Sequence, residues 1–131
     1  MMFDNVEDFK SEVLSTMNHL QGKLAKIHKL SGGAFVAEHS DELRRITAAV
    51  NHLINKVGEE SGQSLDRREA HQAVYETGVY IGEIICITEI LLDFIGEHSD
   101  THQELNVILQ ESERLFSLRG DTLLELTNYS R

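Results

Sequence analysis

The chain has 131 residues, 40% of them hydrophobic and 26% charged, with a net charge of −10 at neutral pH. A chain of this length fits one domain that buries roughly two-thirds of its unfolded surface, and the composition excludes a disordered polyelectrolyte. With 12 Lys and Arg against 22 Asp and Glu, direct binding of nucleic acid is not expected, because phosphates call for clustered cations.

There is no proline, so nothing in the chain removes a helix donor or clashes with the preceding turn. The first predicted helix runs from Asp4 to Leu30. Val6, Phe9, Val13, Met17, Leu20, Leu24 and Ile27 follow one another at steps of 3, 4, 4, 3, 4 and 3, which places them along one stripe. Ser31-Gly32-Gly33 reads as the stop, since glycine accepts the left-handed backbone common just past a helix end.

The second helix starts near Ala34 or at Ser40. Ser40 offers a hydroxyl cap before Asp41 and Glu42, acids favoured at the positive end of a helix dipole. Its stripe is Leu43, Ile46, Val50, Leu53 and Val57, and Gly58 to Gly62 marks the next break.

The third helix runs from a cap near Ser64 to about Glu97. Val74, Thr77, Ile81, Ile84, Thr88, Leu91 and Ile95 keep the 3/4 spacing. Ile87, Ile90 and Phe94 widen the apolar arc to roughly half the circumference, which predicts several neighbours or a second subunit. The fourth helix starts at Ser99 or Asp100, where Asp100 and Gln103 have capping-box spacing. It turns Leu105, Ile108, Leu115, Leu126 and Tyr129 inward. Four such helices on short connections predict one all-α domain over residues 1–131, an antiparallel up-down-up-down four-helix bundle.

Cys86, the one cysteine, sits among Ile84, Ile85 and Ile87 and is expected to be a buried thiol. With no CxxC pair and no second cysteine, a reducing, cytoplasmic compartment is the simplest expectation. Met1 to Lys10 holds acids and no apolar segment, so no signal peptide is expected. The most apolar stretch, Val79 to Ile95, is interrupted by Glu83, Glu89 and Asp93, so no transmembrane helix or membrane association is expected either.

Charge is segregated along the chain. Residues 1–57 hold seven acids and seven bases, whereas residues 58–131 hold 15 acids and five bases. Between Arg68 and Arg114 there is no base but there are ten acids. On a helical wheel Glu76, Glu83, Asp93 and Glu97 fall within about 100° of one another, and Glu89 belongs to the same helix. These five residues are the candidate surface for a protein partner that is itself basic.

Histidines gather at the expected helix ends. His28, His39, His98 and His102 would meet at one end of an up-down bundle, near Glu38, Asp41, Glu97 and Asp100. Imidazoles with carboxylates are ligands for zinc and other transition metals. Neither an HExxH nor a di-iron ExxH pattern is present, so no metal or other cofactor is expected.

The run His28-Lys29-Leu30-Ser31-Gly32 resembles the phosphorylation motif of histidine phosphotransfer domains, which are helical bundles. The resemblance rests on His28, Leu30 at +2 and Gly32 at +4 and implies His28 as a phosphoacceptor; Ser31 stands where that family has Lys. Arg45 and His52 have an Arg-x6-His spacing that resembles the ribonuclease motif of HEPN domains. The expected function is that of a non-enzymatic interaction protein of the inhibitor, antitoxin, immunity or chaperone class. It would bind another protein, itself basic, through the acidic surface or through the wide apolar face of the third helix, and that arc also leaves room for a homodimer.

Overall fold

The structure, a computed structural model, describes residues 4–30, 34–60, 66–96 and 99–128. Among these residues it contains five helices and no strand. They are α1 (Asp4–Leu30), α2 (Ala34–Glu38), α3 (Ser40–Glu60), α4 (Arg67–Asp93) and α5 (Asp100–Asn128). Among the described residues, no helix is long and apolar enough to cross a membrane.

The sequence offered two starts for the second helix, and the chain uses both. The one-turn α2 precedes α3, and His39 joins them. The His39 N–H donates to the Phe35 carbonyl at 2.9 Å, and the Leu43 N–H donates to the His39 carbonyl at 3.0 Å. Phe35 and Val36 pack against the core from this short helix.

The helical stripes become the core. Every stripe residue of α1 from Val6 to Ile27 is buried, as are Leu43, Ile46, Val50, Leu53 and Val57 of α3. From α4 come Val74, Ile81, Ile84 and Leu91, and from α5 Leu105, Ile108, Leu115 and Leu126. Tyr129 lies outside the described residues. α1 packs against α3 and α5, and α4 packs against the same two helices.

Polar pairs fix the register between neighbours. From α1 to α5, Asn5 donates to Glu125 at 2.8 Å, Arg114 donates to Glu12 at 3.3 Å, and His19 lies 2.7 Å from Glu111. Further along, Lys26 meets Glu104 at 2.9 Å, so rising numbers on α1 meet falling numbers on α5. On the other side Arg45 of α3 pairs with Glu83 of α4, and His52 stacks on Tyr80.

The helix ends depart from expectation in four places. Asp66 caps α4: its carboxylate accepts from the Glu69 N–H at 2.8 Å, and Glu69 accepts from the Asp66 N–H at 3.2 Å. The cap expected near Ser64 lies outside the described residues. At the other end Phe94 closes α4, its N–H donating to the Leu91 carbonyl at 3.1 Å, so the helix ends before Glu97. Ser99, not Asp100, caps α5, its hydroxyl accepting from the His102 N–H at 3.0 Å; the Gln103 N–H turns to the Ser99 carbonyl. Last, α3 runs through Gly58 to Glu60. A mid-helix glycine costs only about 1 kcal/mol relative to alanine, too little to end a helix anchored by buried neighbours.

Two expectations about α4 are corrected. Cys86 is exposed, not buried. Its isoleucine neighbours suggested an apolar setting, but at about 100° per residue it lies opposite Ile84. The apolar arc is also not fully covered. Ile87 is buried, whereas Ile90 and Phe94 face outward, because only α3 and α5 of the long helices flank α4.

Candidate protein-interaction face

α4 separates two faces by period alone. Ala70, Val74, Thr77, Ile81, Ile84, Ile87, Thr88 and Leu91 turn inward. Along the outer face run Val79, Cys86, Ile90 and Phe94, at steps of 7, 4 and 4. They lie within an arc of about 80° and span roughly 22 Å of helix. Val79 is 66% exposed, Ile90 49% and Phe94 66%, so large apolar groups meet water here even though the Phe94 ring also touches that of His39. Single exposed apolar residues are ordinary, but an aligned row of them marks a contact surface.

Acids stand among and beside the residues of this row. Glu76 and Glu83 fall within the arc of the row, on the side toward α3, while Asp93 and Glu89 lie beyond its other edge. Arg45 Nε donates to Glu83 at 3.1 Å, and Gln72 donates to Glu76 at 2.9 Å. Glu89 and Asp93 are exposed and pair with nothing among the described residues. The last candidate, Glu97, lies outside them. Glu76, Glu83, Glu89 and Asp93 thus share one helix face with exposed apolar residues rather than forming a purely acidic face.

A groove of about 340 Å³ between α3 and α4 adjoins the row. His52, Lys56, Glu76, Val79 and Tyr80 are among its walls, and the rings of His52 and Tyr80 stack with centroids 4.0 Å apart. Glu76 and Val79 belong both to the groove and to the outer face, so the two surfaces are continuous.

One feature of α4 was not anticipated. The Arg119 guanidinium lies over the rings of Tyr75 and Phe116, 5.2 Å from each centroid. Its Nη2 donates to the Tyr75 carbonyl at 2.8 Å. Gly78 permits this approach, because a Cβ there would collide with the guanidinium. The Gly78 position within a long apolar helix was the available signal.

The described histidines of that set, His28, His39 and His102, occupy the expected helix ends, each in its own setting. His28 is exposed in the last turn of α1; of the residues that follow it in the phosphotransfer-like run, Leu30 is 39% exposed, and Ser31 and Gly32 lie outside the described residues, as does His98. His39 is buried between Phe35 and Phe94, with ring centroids 4.8 and 5.3 Å away. His102 is half-buried in the first turn of α5. Among the described residues, no three His, Cys, Asp or Glu side chains converge as a metal site. Arg45 and His52 are engaged separately, by Glu83 and Tyr80.

Away from this face, Glu104 receives Lys23 and Lys26 of α1, each at 2.9 Å. Hydrogen bonds from Lys26 and then Lys23 hold its carboxyl below the ordinary carboxylate value, against the opposing effect of desolvation. Glu104 in turn raises the Lys26 ammonium, chiefly through the same hydrogen bond. This cluster ties the end of α1 to the start of α5 and lies within the helix packing.

No protein-family model, curated protein or solved structure matches the chain.

Proposed function

We propose that the chain is a non-enzymatic interaction protein, of the inhibitor, antitoxin, immunity or chaperone class, which binds a basic protein through the outer face of α4. Its frame is a single domain whose four long helices run up-down-up-down as an antiparallel bundle. The cross-helix pairs of α1 with α5 and of α3 with α4 support that arrangement. A cytoplasmic setting suits the lone exposed thiol.

The observation that carries the reading is the set Val79, Ile90 and Phe94, exposed among acids on α4. Magnitudes divide the work between the two kinds of residue. Fully covering a side chain of this size stabilises a complex by about 1.5–3 kcal/mol. An exposed ion pair contributes only about 0.2–1 kcal/mol and weakens with salt. The apolar row therefore supplies affinity, and the acids select a cationic partner and speed its approach. Glu89 and Asp93, unpaired among the described residues, have the most to gain from such a partner.

The test is capture from the native host by wild type and by a Glu89→Lys, Asp93→Lys double variant. Both positions are exposed, so the fold is retained, as circular dichroism will check. A basic protein held by wild type and released by the variant is the expected result. A partner held equally by both would overturn the assignment to α4.

A further inference from the structure

We infer that Arg119, where α5 meets α4, is a binding site for a small organic anion, a carboxylate carried on an aromatic body. The inference uses none of the residues of the interaction reading and does not rest on it. The first ground is the unused part of the guanidinium. This group carries five N–H donors in a planar fork. Nε and Nη2 both donate to the Tyr75 carbonyl, at 3.3 and 2.8 Å, so one edge of the fork is taken. The other edge, formed by Nη1 and the second Nη2 hydrogen, makes no hydrogen bond among the described residues. Such an edge takes a carboxylate through two parallel bonds. Arg44, Arg45 and Arg114 each meet an acid of the chain within 3.5 Å. Arg119 is half-buried and meets none among the described residues.

The second ground is that the cation is already held in place. It lies 5.2 Å from the ring centroids of both Tyr75 and Phe116, and its bonds to the Tyr75 carbonyl fix its orientation. Gly78 leaves the room for it, since an added Cβ would collide with the guanidinium. A side chain ordered before its ligand arrives loses little entropy on binding. Tyr75 is 54% exposed and Phe116 41%, so both rings keep open surface for an aromatic body to cover. Charge then selects among anions. The net charge of −10 opposes a dianion such as phosphate about twice as strongly as a monoanion, which favours a carboxylate.

The experiment titrates the full chain with N-acetylphenylalanine, its neutral amide, acetate and inorganic phosphate, following the Tyr75 and Phe116 ring signals by NMR. N-acetylphenylalanine should bind about tenfold tighter or more than each of the other three, because the amide lacks the charge, acetate lacks the ring and phosphate meets the greater repulsion. Arg119→Gln should erase the preference for the acid over the amide. Gly78→Ala should reduce that preference at least about threefold, because the methyl group displaces the guanidinium while alanine favours the helix; circular dichroism will check both folds. Equal binding of acid and amide overturns the inference, as does a preference that survives unchanged in either variant. Acetate or phosphate binding as tightly as N-acetylphenylalanine overturns the assignment to an aromatic carboxylate.

Discussion

Glu104 shows how one side chain can hold two helices together. Its carboxylate meets Lys23 and Lys26 at 2.9 Å while only 8% of the residue is exposed. Replacing it by Gln keeps the shape and removes the charge, and should cost about 1–2 kcal/mol at neutral pH in urea unfolding. The folded-state value of Glu104 is lowered. Its contribution is thus present above the unfolded value and lost as pH falls through the folded one. The gap between wild type and Glu104→Gln should therefore close on acidification. Lys26 has the opposite sign: its raised value gives a contribution present below the ordinary lysine value and lost as pH rises through the folded one. A gap that persists at about pH 2 would mean that Glu104 acts through packing and not through charge.

Helix by helix, legibility followed the strength of the physical signal. The 3/4 stripes of α1 and α3 were readable because each apolar residue on them is buried, from Val6 to Ile27 and from Leu43 to Val57. The ends were less readable, since several residues could serve as caps and tertiary packing chose among them. Asp66 with Glu69 closes a reciprocal pair at the start of α4; Asp66→Ala should lower stability by about 1 kcal/mol, read as a lower melting temperature. No change would show that packing alone sets this boundary. Cys86 was misplaced because a run of isoleucines was weighed by composition and not by angle. The wide arc of α4 was visible, but its uncovered portion was not, because coverage depends on where α3 and α5 lie. Of the candidate site, the acids Glu76, Glu83, Glu89 and Asp93 could be named from the sequence. That they stand among exposed apolar residues, with Arg45 already on Glu83, required the packing.

For the molecule as a whole, the charge asymmetry and the exposed row describe one surface. The whole of the net charge of −10 lies in residues 58–131, and α4 carries part of it beside side chains that an isolated helix bundle would normally cover. On the proposed reading, the complement of that surface is a cationic, partly apolar protein surface. The sole cysteine lies on this same row and is exposed, which makes it a built-in reporter of occupancy. The decisive measurement is the rate of Cys86 alkylation by iodoacetamide in the free chain and with the captured partner at saturation. Seating on α4 predicts that the partner slows the reaction about tenfold or more. An unchanged rate at full saturation would contradict it, by showing that the partner binds elsewhere.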